Sequence, residues 1–255
     1  MRTGATGIIA ARAVLSAPAD GHTILVQTGS HTILPFVAQV DYDPLQDFAG
    51  VTPLASVPNV LVVAGSATYK TVQDLVASAK AKPGQLTFAS VGVGSATYMS
   101  AVKFNRAAGL DVLHVPFKGG VEAITETMTG RIDYFFAPII SALPQIQGGN
   151  LRPLAVNTVN RVSQLPDVPT LAETGISEAD YLFWVGLLVS SHTERDIIER
   201  LNQIASKALQ TRELRSRLLE LGAEPLSMSA EQFDMLLRHE AAIAAGVFNS
   251  TGLKR

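Results

Sequence analysis

The sequence predicts an α/β fold with a mostly parallel sheet. Short β-rich runs alternate with helical periodicities as far as about residue 189, and three helices in succession then close the chain. The 255 residues are 47% apolar and 16% charged, enough to build a core and unlike a disordered chain or a coiled coil. At about 100 to 200 residues per domain, this length allows one large domain or two modest ones.

The elements follow in order. Arg2 ahead of Gly7-Ile8-Ile9-Ala10-Ala11, with Ala17-Pro18-Ala19 beyond, has the outline of a secretory signal, but Arg12 interrupts the apolar run. An amphipathic helix from about Ala5 to Ser16 is expected instead. Strands are expected at Thr23 to Thr28, Asn59 to Ala64, Leu86 to Ser90, Val112 to Val115, Ile132 to Phe136, Leu154 to Asn157 and Leu182 to Val189. Thr71, with Asp74 three residues on, caps a helix that buries Val72, Leu75, Val76 and Ala79 and stops at Pro83-Gly84. Val121, Ile124, Thr125 and Met128 repeat that spacing before Gly130. The closing helices span Thr193 to Leu209, Thr211 to Leu221, and Ser229 to about Phe248 with a Ser229/Gln232 capping box.

Two long extended runs, Asp47 to Ala64 and Tyr181 to Val189, would make a two-strand hinge if paired antiparallel. The chain would then form two lobes, residues 1–55 with 188–255 and residues 56–187, flanking a ligand cleft.

Composition narrows the function. Twenty Lys plus Arg against twenty-two Asp plus Glu leave a net charge of -2, so nothing in the charge calls for nucleic acid or an anionic membrane. The longest apolar run has nine residues, from Tyr181 to Val189, against the roughly 18 that cross a bilayer. The absence of Cys removes disulfides, thiol nucleophiles and Cys-containing zinc sites. His22, His31, His114, His192 and His239 form no metal-ligand pair, and neither a metal nor a cofactor is expected.

The sharpest local feature is Ala89-Ser90-Val91-Gly92-Val93-Gly94-Ser95, between an expected strand and an expected helix from Ala96 to Ala108 ended by Gly109. Glycines there let backbone N–H groups at a helix start approach an anion, and Ser90 and Ser95 add hydroxyls. The plainer reading is a tight turn with Ser95 as N-cap. Position 97 is Thr where the dinucleotide fingerprint has Gly, and no P-loop Lys follows. Thr28-Gly29-Ser30-His31 and Pro116-Phe117-Lys118-Gly119-Gly120 are two more donor-rich strand ends. A buried structural histidine is the expected role of His114; a hydrolase or transferase using Ser95, with His114 as base, is the alternative. Asn249-Ser250-Thr251 is a formal glycosylation triplet.

With the text around them, these loops resemble the Bug, or TctC-like, extracytoplasmic solute receptors of tripartite tricarboxylate transporters. The matching stretches include Pro18-Ala19-Asp20-Gly21-His22-Thr23, Asp41-Tyr42-Asp43-Pro44, Ser56-Val57-Pro58-Asn59, His114-Val115-Pro116-Phe117-Lys118-Gly119-Gly120, Leu165-Pro166-Asp167-Val168-Pro169-Thr170 and Trp184-Val185-Gly186. The resemblance implies a two-lobed type II periplasmic-binding-protein fold, no catalysis, a small carboxylate ligand, and the membrane subunits of a transporter as partners in the periplasm. It places ligand contacts at Thr28, Gly29, Ser30, Gly94, Ser95, Lys118, Gly119, Ala137 and Pro138.

Against the family pattern, this chain begins near Gly4-Ala5-Thr6-Gly7, so the secretion signal and the first strand of the terminal lobe are expected to be missing and that lobe incomplete, with a truncated receptor that has lost binding as a further alternative. Ala137 stands where the family often has Asp, which disfavours amino acids as ligands. Phe183 precedes Trp184 where a small residue is usual, and the two rings would wall the cleft.

Overall fold

The computed structural model describes residues 7–250, with side chains through residue 248. The chain divides into two compact units, one made of the residues up to Ser56 and those from Phe183 onward, the other of Val57–Leu182.

The first unit holds a four-stranded sheet in the order β1 (Leu25–Thr28), β8 (Trp184–Ser190), β2 (Phe48–Ser56), β9 (Glu224–Pro225). All its ladders are antiparallel, which overturns the expectation of a mostly parallel sheet for this half of the protein. The two long extended runs do pair, from Phe48 opposite Ser190 to Ser56 opposite Trp184, with irregularities at Gly50/Thr52 and Pro53/Ala55. Proline has no N–H to give a ladder, so a break beside Pro53 is where a strand tolerates it. β8 lies whole in this unit, so the chain crosses between Leu182 and Phe183, ahead of the Leu187 crossing expected from the sequence.

Around this sheet lie α1 (Ile8–Leu15), α2 (Ser30–Val37), α7 (Arg195–Leu209), α8 (Arg212–Glu220) and α9 (Ala230–Ser250). Ala5 and Thr6, expected to open α1, lie outside the described residues, as does Thr251 of the glycosylation triplet. Arg12, the residue that breaks the apolar run, turns outward to pair with Asp41 at 2.9 Å, while Ala11 and Val14 are buried. α9 opens on the expected box, with Gln232 N–H donating to Ser229 Oγ and Ser229 N–H to Gln232 Oε1.

Trp184 and Phe233 meet edge to face, centroids 4.9 Å apart, in a core shared with Leu25, Leu34, Phe48, Leu188 and Leu237. A Cβ on Gly186 would stand 2.7 Å from Phe233 Cζ, so β8 needs a glycine there to let α9 close on the sheet. Trp184 is fully buried and donates from Nε1 to Glu240 at 2.8 Å. The expectation that it walls a cleft therefore fails: its indole fills the core, and only Phe183 stays half-buried.

The second unit is a five-stranded sheet in the order β5 (Leu113–Pro116), β4 (Thr87–Ser90), β6 (Tyr134–Pro138), β3 (Asn59–Ala64), β7 (Leu151–Val156). β4 pairs in parallel with β5 and β6, whereas β3 pairs antiparallel with β6 and β7. Four strands thus run one way, and β3, buried at every residue, is inserted against them. Val57-Pro58 ends β2 and separates it from β3, so one continuous extended run in the sequence serves two sheets.

α3 (Val72–Ala81), α4 (Ala96–Ala108), α5 (Gly120–Met128) and α6 (Ile139–Gln147) supply the connections. α3 starts on the expected Thr71/Asp74 capping box, and α4 ends at Gly109 in the left-handed conformation, φ 63. Val121, expected on the buried stripe of α5, is 80% exposed; in the first turn, Ala123 and Ile124 do the packing.

A buried polar network fastens the ends of this unit. Asn157 Nδ2 donates to Ser100 Oγ and to the Tyr181 carbonyl, its Oδ1 accepts from Asn59 N–H, and Asn59 Nδ2 also reaches Ser100. The backbone adds Asn157 N–H to Asn59 O and Tyr181 N–H to Asn157 O. Buried amides of this kind are stable only when fully paired, which fixes both chain crossings relative to α4.

Candidate functional site

In the second unit, the parallel pairing of β4 with β5 and β6 brings three strand ends, each followed by a helix, to one edge of the sheet. Ser90 lies opposite Pro116, and Phe117 N–H donates to the Ser90 carbonyl at 2.8 Å, so the loops after β4 and β5 leave the sheet side by side. Six of the expected residues are here: Gly94, Ser95, Lys118, Gly119, Ala137 and Pro138. Thr28, Gly29 and Ser30 are in the first unit, between β1 and α2.

The loop after β4 is held from within. Gly92 has φ 113 and Gly94 φ 82, conformations that side-chain-bearing residues rarely adopt. Val91 N–H donates to Thr97 Oγ1 and Gly92 N–H to Ser90 Oγ, at 3.1 and 3.0 Å. Ser95 is the N-cap of α4: its hydroxyl accepts from Tyr98 N–H, donates to the Gly92 carbonyl at 2.6 Å and lies 3.0 Å from Thr97 Oγ1. A serine hydroxyl has one proton and two acceptor positions, so these three partners use its full capacity. Ser95 therefore shapes the loop, and the groups left open are the N–H groups of Val93, Gly94, Ala96 and Thr97, which make no hydrogen bond within the described residues.

After β5, Lys118 is exposed, and Gly119 is the N-cap of α5 with no side chain capping it. The opening N–H groups of α5 are likewise unpartnered within the described residues. After β6, Pro138 is the N-cap of α6, and Ile139 N–H donates to the Pro58 carbonyl at 3.0 Å. Ala137 is fully buried within the core of its unit, alongside Val60, Phe135 and Ile139. Its methyl belongs to that core, so what this position can offer a ligand is backbone.

In the first unit, Thr28 Oγ1 and Ser30 Oγ are 2.8 Å apart, and Gly29 N–H donates to the Trp184 carbonyl. One hydroxyl of the pair donates to the other, which leaves one proton for an outside acceptor. The next residue, His31, turns wholly inward. Its Nε2 lies 3.1 Å from the Pro44 carbonyl, its ring meets Tyr42 and Phe48, and burial lowers its pKa to about 4. It is a neutral core histidine that donates from Nε2.

Sequence reasoning met Ser90 and His114 separately and missed their pairing. His114 Nε2 lies 2.7 Å from Ser90 Oγ. The cross-strand register, Phe88 opposite His114 and Ser90 opposite Pro116, makes them diagonal neighbours on one face, a relation readable only once the register is known. Burial lowers the His114 pKa. Ser95 is not bonded to His114 and Ser90 is fully buried, so the nucleophile and base imagined for a hydrolase do not meet.

Among the described residues no group of three or more His, Asp or Glu side chains could hold a metal ion. A cavity of about 600 Å³ in the first unit is lined by Gly50, Asn202, Asp234 and Arg238, among others, and by none of the nine expected binding residues.

The model of the tripartite tricarboxylate transporter family receptor, TctC, matches residues 1–253. The chain belongs to this family. BugT of Bordetella pertussis is 30% identical over 256 residues, covering 99% of this chain and 78% of BugT. Among solved structures, R. palustris Rpa4515 with adipate superposes with a TM-score of 0.79 at 29% identity, covering 97% of this chain and 85% of that one. MatC from Rhodopseudomonas palustris with bound malate gives a TM-score of 0.75 at 28% identity, over 96% and 85% of the two chains. A TctC solute-binding protein from Polaromonas shares the fold, with a TM-score of 0.86 at 24% identity over 97% and 84%. TctC receptors bind solutes outside the cytoplasm and are not enzymes. Among the described residues no helix is long and apolar enough to cross a membrane.

Proposed function

We propose that this TctC receptor captures a small organic acid in the periplasm and presents it to the membrane subunits of a tripartite tricarboxylate transporter. The observation that carries the reading is the set of open N–H groups at the starts of α4 and α5, on one edge of one sheet, with Lys118 beside them. N–H groups at helix starts favour an anion through both hydrogen bonds and the helix dipole. Val93, Gly94 and Gly119 would bind through the backbone, Lys118 by charge, and Ala137 and Pro138 by backbone and shape; in the first unit, the Thr28–Ser30 pair has one hydroxyl proton to offer an acceptor. Rpa4515 with adipate and MatC with malate, both relatives by fold and sequence, support a carboxylate as ligand.

The segments Thr28 to His31, Val91 to Ser95, Pro116 to Gly120 and Ala137 to Ser141 contain no Asp or Glu. A ligand ammonium would meet no carboxylate on them, and an unpaired buried ammonium is costly. Acids without an amino group are therefore the preferred class.

Thermal shift against a carboxylate panel, followed by calorimetry with glutarate and glutamate, tests both statements. A ligand that binds only the folded state raises its melting temperature. Glutarate should bind about tenfold or more tightly than glutamate, a difference of about 1.4 kcal/mol. A panel in which no acid shifts the transition would sink the acid reading; tighter binding of glutamate would sink only the choice among acids.

A further inference from the structure

We propose that His114 is a positioning residue for the acid-binding loop, holding Val91 to Ser95 in place through the hydroxyl of Ser90. The proposal deepens the reading of that loop as a carboxylate site. Ser90 Oγ accepts the Gly92 N–H at 3.0 Å and lies 2.7 Å from His114 Nε2. Ser90 is fully buried, and among the described residues the one other hydrogen-bond partner of its hydroxyl is the imidazole, so its single proton goes to Nε2. His114 must then be neutral with its proton on Nδ1, the state that burial favours.

The imidazole is itself held in place. Phe88 stacks on it with centroids 4.9 Å apart at 24°, and Tyr98, from the first turn of α4, lies 4.9 Å away at 59°. A ring packed between a strand and the helix that the loop opens is a fixed acceptor. It orients Ser90, and Ser90 in turn orients the Gly92 N–H. Gly92 sits at φ 113 and, its chain neighbours aside, no atom lies within 4 Å of where a Cβ would stand, so packing against other parts of the chain does not impose this conformation. The two hydrogen bonds, from Gly92 to Ser90 and from Val91 to Thr97, hold the first two loop N–H groups, and those of Val93 and Gly94 have no partner among the described residues.

Two substitutions separate the acceptor from the packing. His114→Phe keeps a stacked ring and removes the acceptor; His114→Gln gives up the ring and keeps an acceptor at the reach of Nε2. Amide exchange at Gly92 in the full chain, without ligand, reads the positioning directly, and calorimetry with glutarate reads its consequence. In His114→Phe and in Ser90→Ala, Gly92 exchange should quicken and glutarate affinity fall, each by about tenfold, while His114→Gln stays within about threefold of wild type in both. Unchanged Gly92 exchange in His114→Phe overturns the proposal, and so does a Gln variant as impaired as Phe, since packing alone would then explain the effect. If wild type binds no glutarate while Gly92 exchange follows the expected pattern, His114 still positions the loop and it is the acid reading that loses support.

Discussion

The two units solve different problems with similar material. In the first, every ladder is antiparallel, and its aromatic residues, Trp184, Phe233, Phe48 and Tyr42, serve the core. In the second, three like-directed strands each run into a helix, so three helix starts share one edge. Parallel strands put their C-terminal ends together, which is why ligand groups collect there. The second unit thus gathers three loops on one edge, whereas the first has a small hydroxyl pair on a single strand end.

The largest test of this comparison is Trp184→Ala. Removing a fully buried indole should destabilise the first unit by about 4 kcal/mol. Urea unfolding by circular dichroism measures the loss, and hydrogen exchange should show it in β1, β2 and β8 before β4 and β6; equal loss of protection in all five strands would mean that the units do not unfold separately.

Next comes acid. His31 holds its neutral form in the folded state, with its pKa lowered from 6.5 to about 4 by burial. Between those values the unfolded chain takes up a proton that the folded chain refuses, so stability falls as pH drops from about 6.5 to about 4, by about 3 kcal/mol in total, and this contribution is flat outside that window. His114, also lowered by burial, adds a slope of the same sign in the second unit. Urea midpoints of wild type and His31→Phe at pH 7 and pH 4.5 should differ in their pH dependence, wild type losing more; parallel behaviour would show that His31 does not govern the acid response.

In the second unit, Asn157→Ala removes the amide that ties β3, α4 and the Tyr181 crossing together, at a cost of about 2 kcal/mol. Its effect should be strongest in exchange at Asn59, whose N–H donates to the Asn157 side chain. The smallest effect is Ser95→Ala, which loses a helix cap for about 1 kcal/mol of stability, read as a lowered melting temperature. Because the Ser95 proton already goes to the Gly92 carbonyl, its removal should weaken acid binding only through a looser loop, and an acid affinity lost altogether would show that Ser95 reaches the ligand itself.

What the sequence determined by itself was local. The Thr71/Asp74 and Ser229/Gln232 boxes, the Gly109 helix end and the glycine loop after β4 all follow from short-range patterns, because a cap or a turn is decided by residues three or four apart. Tertiary structure decided which way things face. The periodicity of α5 is the same whichever side packs, and only its placement on β6, β3 and β4 leaves Val121 outside while Ala123 and Ile124 go in. An extended run does not state its direction or neighbours, so the reversal of β3 between β6 and β7 had no local signal. Trp184 beside Phe183 reads as an aromatic wall until β8 is placed between β1 and β2 and α9 lies over it, when alternation along the strand sends the indole inward to Phe233 and Glu240. Ser90 and His114 meet because β4 and β5 pair in one register and no other, and a register is set by long-range packing rather than by either strand alone.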